Sequence, residues 1–242
     1  MEVITLDTVD STNSYAAAHA GSLTHGDIVM ARGQTAGRGQ RGNSWEAEPG
    51  LNLTLSVMLR PEATEAACQF DISSAVALGV VEMLSPLLPG MEVLIKWPND
   101  IYVADRKIAG ILIENSLSGR YIARSIAGIG VNINQREFRS DAPNPVSVWQ
   151  LTGHTHPLGP LAATLGAAIM RMLELPVDEL RSLYASRMWR REGYHPYRDN
   201  LRGDDFMGRI TGIAPTGHIT IEDTAGHSRT FAFKEVTALL AT

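Results

Sequence analysis

The sequence predicts an α+β fold that ends in a small C-terminal β-barrel. Strand-like and helix-like segments are interspersed through residues 1–193, whereas three or four short β-type runs with tight turns fill residues 194–242. We therefore expect a large domain over residues 1–193 and a small domain over residues 194–242. A barrel of that size is only marginally stable alone, so we expect it to dock on the large domain.

The strands are predicted from apolar runs that are bounded by turn residues. The clearest run is residues 51–59, where leucines and Val57 alternate with Asn52, Thr54 and Ser56 and predict a half-buried strand. Residues 33–50 are too rich in glycine, asparagine and proline for regular structure. The other predicted strands are residues 3–6, 27–31, 92–97, 101–103, 107–114, 121–133, 206–213, 218–223 and 229–233.

Helices are predicted from capping residues and from apolar spacing. The run Asp10-Ser11-Thr12-Asn13 consists of N-cap formers and precedes an alanine-rich helix over residues 14–20. Residues 64–88 predict a long helix, which two prolines end, and residues 158–175 and 177–191 predict two more. Cys68 lies in the apolar pattern of the long helix and is interpreted as inert core.

The composition argues against several classes of protein. The net charge is −5 and the pI is about 5.8, whereas proteins that bind nucleic acid through phosphate contacts are normally basic. A single cysteine allows no intrachain disulfide, and the N-terminal residues lack the features of a secretory signal. The most apolar stretch, residues 75–84, is shorter than the ~20 residues that span a bilayer. We therefore expect a soluble, cytoplasmic protein without a membrane or DNA partner.

Residues 33–45 form a glycine- and arginine-rich loop that ends in Trp45. Its glycines let backbone N–H groups approach an anion, its arginines supply forked cationic donors, and the indole offers a flat face to a ring. This combination indicates a nucleotide. Gly37, Gly39 and Gly42 also match the dinucleotide fingerprint, but a strand is predicted after them where that site requires a helix. The chain has no Walker motif, and a solvated surface loop is the remaining alternative.

Two lysine-containing segments support a ligand site. The segment Lys96-Trp97-Pro98-Asn99-Asp100 leaves a strand, and its proline would hold the polar groups rigidly, although Asn-Asp also suits an ordinary turn. Lys107 opens an apolar strand, and the following Ala109-Gly110 pair would let a ligand approach its ammonium. An exposed lysine at a strand end is the alternative.

Polar residues elsewhere are less informative. In residues 128–134, either Asn132 or Asn134 is expected to read the edge of a base, with a plain strand and a bulge as the equal alternative. His154 and His156 are interpreted as structural or surface residues and not as metal ligands, because no Cys or Glu is spaced beside them.

Taken in order, five motifs resemble those of the biotin–protein ligase (biotin–[acetyl-CoA-carboxylase] ligase) family. They are Asp10-Ser11-Thr12-Asn13, the Gly-Arg-Gly-x-Arg-Gly loop with Trp45, Lys96-Trp97-Pro98-Asn99-Asp100, Lys107-Ile108-Ala109-Gly110-Ile111-Leu112 and Gly128-Ile129-Gly130-Val131-Asn132. The resemblance spans roughly residues 10–134, and the tail after about residue 195 resembles that family's SH3-like domain. It implies a mixed β-sheet catalytic domain of the class II synthetase type, flanked by helices, with a small SH3-like barrel.

The resemblance implies a two-step acyl transfer. The biotin carboxylate attacks the α-phosphate of MgATP and gives biotinyl-5′-AMP and pyrophosphate. A lysine of a biotin carboxyl carrier protein then attacks this mixed anhydride and releases AMP. Preorganised cations suit both steps, because negative charge builds on phosphoryl oxygens and then on a carbonyl oxygen. The expected ligands are therefore ATP, biotin and Mg²⁺, with Mg²⁺ arriving on ATP near Asp100 and not at a fixed protein site.

The resemblance also implies roles for individual residues. Lys107, Arg38 and Asp100 are implied as catalytic. Biotin contacts are implied for Ser11, Thr12, Asn13, Gln34, Gly37, Arg38, Gly39, Gln40, Lys107 and Gly110. ATP contacts are implied for Arg38, Arg41, Gly42, Trp45, Lys96, Asn99 and Asn132.

The chain departs from the family pattern at Gln40 and Asn43, where many relatives carry a basic residue. We expect this loss of charge to weaken the retention of biotinyl-AMP. Because the Ser-Thr-Asn motif begins at residue 11, we also expect a short form without an N-terminal helix-turn-helix domain. A homodimer is one assembly that the resemblance allows.

Two other functions stay open at this point. A lipoate–protein ligase or octanoyltransferase shares the fold, but the Gly-Arg-Gly-x-Arg-Gly loop and the Lys-Trp-Pro-Asn-Asp motif favour biotin. A biotin- or nucleotide-sensing module without turnover is the second alternative. The presence of Arg38, Lys107 and Asp100 argues against it.

Overall fold

The computed structural model describes residues 1–39, 44–61, 63–139 and 144–240. Strands and helices are interspersed over the first three quarters of the chain, and strands alone follow. The strands of the first part are β1 (Val3–Val9), β2 (Ile28–Gln34), β3 (Leu53–Leu59), β4 (Val93–Lys96), β5 (Asp100–Val103), β6 (Arg106–Ser118) and β7 (Tyr121–Val131). The helices are α1 (Thr12–Ala18), α2 (Gln69–Leu84), α3 (Val148–Thr152), α4 (Leu158–Leu173) and α5 (Val177–Ser186).

The seven strands form one mixed sheet in the order β1-β2-β3-β7-β6-β5-β4. Only the edge pair β1–β2 is parallel, and every other neighbouring pair is antiparallel. Helices α2, α4 and α5 bury a large apolar cluster against one face. Helix α1 covers a smaller cluster on the other face, which includes Ala16, Val29 and Met58. The predicted mixed sheet flanked by helices is confirmed.

Strand β3 is buried on both faces, so the prediction of a half-buried strand is wrong. The leucines and Val57 face the large cluster, as the alternation predicts. Thr54 and Ser56 are only 2% and 0% exposed, because α1 and its neighbours cover the second face. Thr54 Oγ1 donates to the Ala31 carbonyl at 2.7 Å, and Ser56 bonds to side chains of α1. Hydroxyls satisfied in this way can be buried at little cost.

The predicted long helix is shorter than the pattern suggests. Helix α2 is framed by two 3₁₀ turns, Ala66–Cys68 and Ser85–Leu87. The helix is buried almost all round from Ile72 onwards, because the sheet lies on one side and α4 and α5 lie on others. Cys68 is half-buried in the first 3₁₀ turn and does not lie in the core, which corrects the interpretation of this residue.

The combined segment Ala66–Leu87 is long and apolar enough to cross a membrane by length and composition alone. However, 72% of its most apolar window is buried inside the protein, which is typical of a core helix. The last predicted helix also ends early, at Ser186. The chain then turns to meet the edge strand β4, where Trp189 N donates to the Ile95 carbonyl at 2.9 Å.

The C-terminal part forms a second, antiparallel sheet, which confirms the predicted small β structure. Its strands are β8 (His195–Asp199), β9 (Asp204–Ile213), β10 (Ile219–Asp223), β11 (Ser228–Phe231) and β12 (Val236–Ala238), in the order β11-β10-β9-β8-β12. Ile219, Ile221 and Phe231 belong to the same apolar cluster as helix α2. The Trp97 indole also donates to the Gly217 carbonyl at 3.0 Å. The second sheet therefore shares a core with the first.

Candidate active site

A cavity of about 1080 Å³ lies between the mixed sheet and the C-terminal sheet. The predicted site residues that line it are Ser11, Thr12, Asn13, Gln34, Arg38, Gly39, Trp45, Lys96, Asn99, Asp100, Lys107, Gly110 and Asn132. Gly37 lies beside the cavity but not in its wall. Gln40, Arg41, Gly42 and Asn43 lie outside the described residues. Folding thus brings together residues from all five sequence motifs.

One end of the cavity carries a buried polar cluster that joins α1 to β2 and β3. Ser56 donates to Asn13 Oδ1 at 2.5 Å, and its hydroxyl lies 2.8 Å from the Thr12 hydroxyl. Gln34 Oε1 accepts from the Thr12 backbone N–H at 2.8 Å. Ser11, Thr12 and Asn13 are each under 5% exposed. The first turn of α1 therefore presents donors and acceptors that are held in place by hydrogen bonds.

Glu114 is a residue of this cluster that the sequence analysis missed. Its Oε2 accepts from Asn13 Nδ2 at 2.7 Å and from Arg38 Nη2 at 3.0 Å. One carboxylate oxygen thereby connects helix α1 to the glycine loop. The sequence contains a signal for this role, because Glu114 is a lone carboxylate in the apolar strand that Lys107 opens. Such a group needs a partner when it is partly buried.

Glycines in β7 make room for this arrangement. A Cβ on Gly128 would lie 2.9 Å from Asn13 Cγ, closer than side-chain atoms approach one another. Gly128 and Gly130 are two residues apart, so both face the cavity. The pairing of β7 with β3 and β6 continues in register across both glycines, so the alternative of a bulge is wrong.

Trp45 lies directly over the glycine floor of the cavity. A Cβ on Gly130 would lie 2.6 Å from Trp45 Cζ2, and a Cβ on Gly110 would lie 3.0 Å from Cζ3. The loop ends are joined by backbone contacts. Trp45 N donates to the Gly37 carbonyl at 3.0 Å, and the backbones of Arg38 and Ser44 form an isolated antiparallel β-bridge. Trp45 Nε1 is buried and has no hydrogen-bond partner among the described residues. The indole therefore forms a flat wall of the cavity.

Lys107 and Asp100 form an ion pair in the cavity wall. Lys107 Nζ lies 2.6 Å from Asp100 Oδ1, and the two side chains are 28% and 30% exposed. The pairing of β5 with β6 places Lys107 opposite Tyr102, two residues beyond Asp100. The ammonium also lies 5.9 Å from the centre of the Trp45 ring. The cation and the flat wall are thus side by side, as a site for a nucleotide phosphate requires.

Lys96 is a second cation in the same wall, and it is more enclosed. Its Nζ donates to the Tyr102 hydroxyl at 3.1 Å and lies 5.7 Å from the centre of the Trp189 ring. Burial lowers the pKa of the Lys96 ammonium below its usual value of 10.5, and the nearby Asp100 carboxylate opposes this shift. Tyr102 and Trp189 were not predicted as cavity residues, since neither lies in a motif.

The two asparagines after β7 have different roles. Asn132 lines the cavity, and its Nδ2 donates to the Val146 carbonyl at 3.0 Å. Its Oδ1 is buried and has no hydrogen-bond partner in the described part of the chain. Asn134 instead bonds to both backbone groups of His156, which supports the structural interpretation of that histidine. Within the described ranges, no three His, Cys, Asp or Glu side chains cluster as a metal site would require.

Comparison with known proteins places this chain in a family of ligases. The sequence model of the "Biotin/lipoate A/B protein ligase family" matches residues 5–132. The bifunctional ligase/repressor BirA of Salmonella typhimurium is 34% identical over 223 residues, which cover 91% of this chain and 69% of that protein. The biotin–[acetyl-CoA-carboxylase] ligase of Paracoccus denitrificans is 38% identical over 150 residues, 60% of this chain and 62% of that protein.

A solved structure shares the whole fold. The biotin protein ligase from Aquifex aeolicus in complex with biotin and ATP superposes with a TM-score of 0.79 over 99% of both chains, at 23% sequence identity. The likeness extends over both sheets, and at this identity it concerns the fold alone.

Proposed function

We propose that this chain, which belongs to the biotin/lipoate A/B protein ligase family, activates biotin with ATP and transfers it to a lysine of a carrier protein. The single observation that carries the proposal is the position of Lys107. Its ammonium lies in the cavity wall, paired with Asp100 and beside the Trp45 ring. A polar cluster for a ligand head group and a glycine loop with Arg38 line the same cavity.

In the first step, the biotin carboxylate attacks the α-phosphate of ATP, and the bond to pyrophosphate breaks. Two anions must approach each other for this to happen, so a cation between them lowers the barrier. We assign this role to Lys107, with Arg38 on the phosphate side. The approaching anions compete with Asp100 for the Lys107 ammonium. The pair therefore keeps the cation in place before the ligands arrive.

In the second step, a lysine amine of the carrier attacks the carbonyl carbon of biotinyl-5′-AMP, and AMP leaves. Lys107 stabilises the charge that develops on the carbonyl oxygen. Asp100, once Lys107 has turned toward the ligand, is placed to attract the incoming ammonium and to accept its proton. The wall of Trp45, with Asn132 Oδ1 as an acceptor for an exocyclic amine, suits the adenine of the adenylate.

Mg²⁺ is expected to arrive with ATP. It takes oxygen ligands and commonly uses one or two carboxylates together with phosphate and water. Asp100 fits this pattern as a carboxylate in the cavity wall. When bound, Mg²⁺ would neutralise phosphate charge.

Biotin is favoured over lipoate by the polarity of the pocket. The biotin head is a ureido ring with two N–H donors and one carbonyl acceptor, whereas the lipoate head is a dithiolane without strong hydrogen-bonding groups. The cluster around Thr12, Asn13 and Ser56 is buried and polar. A ligand that leaves buried polar groups unpaired binds much more weakly.

The proposed partner is the biotin carboxyl carrier domain of a biotin-dependent carboxylase. We propose no DNA partner, because the net charge of −5 disfavours phosphate contacts. Measurement of the molar mass in solution would show whether the chain forms a homodimer.

The decisive experiment is ATP–pyrophosphate exchange with biotin and, separately, with lipoate. We expect exchange with biotin only, followed by streptavidin detection of a carrier domain when one is added. Exchange with lipoate alone would refute the proposal.

The Lys107→Ala variant should lose exchange while its thermal unfolding stays cooperative. Arg120→Ala is a matched control, because Arg120 is an exposed cation, 70% accessible, that does not line the cavity. Near-normal exchange by Lys107→Ala would remove the role assigned to this residue.

A further inference from the structure

The distribution of lysines in this chain is unusual. Only three of the 21 Lys and Arg residues are lysines, namely Lys96, Lys107 and Lys234. All three line the cavity between the two sheets. The other residues of this set are arginines. The exterior away from the cavity therefore carries no lysine amine.

This distribution matters because of the proposed product. A biotinyl adenylate is a mixed anhydride that acylates amines. A guanidinium stays protonated in proteins and has no free lone pair, so arginine does not react in this way. An adenylate made in this cavity thus encounters lysine side chains of its own chain only in the cavity wall.

The three lysines differ in their accessibility. Lys96 is enclosed by Tyr102 and Trp189, to whose rings its ammonium lies at 4.9 and 5.7 Å. Lys107 is paired with Asp100 at 2.6 Å. Lys234 is exposed at the turn between β11 and β12. Its backbone carbonyl accepts from Asn200 Nδ2 at 2.7 Å, which fixes the turn at the rim of the cavity, and its ammonium lies 5.9 Å from the centre of the Phe233 ring.

We propose that Lys234 is the single lysine at which this chain acylates itself. The inference rests on the proposed function, since that function supplies the adenylate. The neutral Lys234 amine attacks the carbonyl carbon of biotinyl-5′-AMP and forms an amide C–N bond. The bond between that carbon and the phosphate oxygen breaks, AMP leaves with the electron pair, and the amine proton passes to solvent.

The test is incubation of the full chain with biotin and ATP in the absence of carrier, followed by intact mass and peptide mapping. Pyrophosphate exchange is followed in the same sample. The expected result is one biotinyl group per chain, on Lys234, and loss of that group in Lys234→Arg, which keeps the positive charge. Pyrophosphate exchange without any biotinyl group on the chain would overturn the inference. A biotinyl group on Lys96, Lys107 or the N-terminal amine would also overturn it.

Two further experiments distinguish failure of this inference from failure of the proposed function. Arg120→Lys places an amine at an exposed site outside the cavity, and we expect no label at position 120. Equal labelling there would show that exposure alone decides the site. Synthetic biotinyl-5′-AMP, added directly, should label Lys234 even if exchange is absent. In that case the proposed function fails and the inference stands, whereas failure of the synthetic adenylate to label Lys234 overturns the inference.

Discussion

Replacement of Gly128 by alanine should disrupt the polar cluster at one end of the cavity. The new Cβ would lie 2.9 Å from Asn13 Cγ and 3.0 Å from Nδ2, so the Asn13 amide has to move. Strand β7 is paired on both sides, by β3 and by β6, and cannot yield instead. The variant therefore separates Asn13 from Ser56 and from Glu114.

The magnitude follows from the two lost hydrogen bonds. Ser56 keeps its contact with the Thr12 hydroxyl, but Asn13 is only 3% exposed and loses both partners, and a buried polar group without its partner costs about 1–3 kcal/mol. Glu114 is 40% exposed and can be solvated again, so its loss adds at most about 1 kcal/mol. Replacing glycine by alanine returns about 0.4–1 kcal/mol through the unfolded chain. We therefore expect a net destabilisation of about 1–3 kcal/mol, or about 2–12 °C in Tm for a chain of this length.

The assay combines thermal unfolding with the KM for biotin in pyrophosphate exchange. If the displaced amide contacts the ligand, a loss of about 1–3 kcal/mol raises this KM by about 5- to 150-fold. Gly212→Ala is the matched control, because Gly212 lies in strand β9 and a Cβ there meets nothing within 4 Å. An unchanged Tm and an unchanged KM in Gly128→Ala would refute the reasoning.

Two other predictions concern the connecting carboxylate and the alkaline limit of stability. Glu114→Gln should raise the KM for biotin by about 1.4- to 5-fold, because Asn13 and Arg38 lose an exposed ionic partner, and an unaltered KM would contradict this. Burial raises the pKa of the Tyr102, Tyr184 and Tyr197 phenols above 10.0, to about 12 at Tyr197. Because these phenols hold their protons more tightly in the folded state than in the unfolded state, they stabilise the folded state fully below pH 10. This contribution is lost as the pH rises toward their pKa in the folded state. The free energy of unfolding should therefore fall by up to about 4 kcal/mol per pH unit between pH 10 and 12, measured by urea unfolding; a flat profile would be the contrary result.

Whether a feature of the fold can be predicted from the sequence depends on whether local or distant contacts determine it. Residues in runs, such as the alternating strand β3 and the motif around Lys107, were placed correctly because periodicity and spacing are local. The burial of Thr54 and Ser56 was not predicted, since the alternation fixes two faces and does not say that α1 covers the second. Helix α3 was missed although Ser147 and Gln150 form a capping box, a signal that was present in the sequence.

The same difference between local and distant contacts applies to the residues of the candidate site. The predicted lysines, Asp100 and Trp45 reach one cavity, because each belongs to a motif with a recognisable composition. Glu114 and Tyr102 escaped prediction, since each lies in the cavity wall or its polar cluster through contacts with a residue far away in sequence, Asn13 for Glu114 and Trp189 for Tyr102. The spacing of Gly128 and Gly130 was noticed, but only the structure gives its reason, which is the room needed by Asn13 and Trp45.

The hydrogen bond from Trp97 to Gly217 has a consequence for the width of the cavity. Trp97 belongs to the turn that also carries Asn99 and leads directly into Asp100, and its ring packs edge-on against Phe233. A tilt of the C-terminal sheet would therefore pull on the turn and change the spacing between Asp100 and Lys107. Substitutions in the last fifty residues can thus alter the rate of chemistry without touching a ligand.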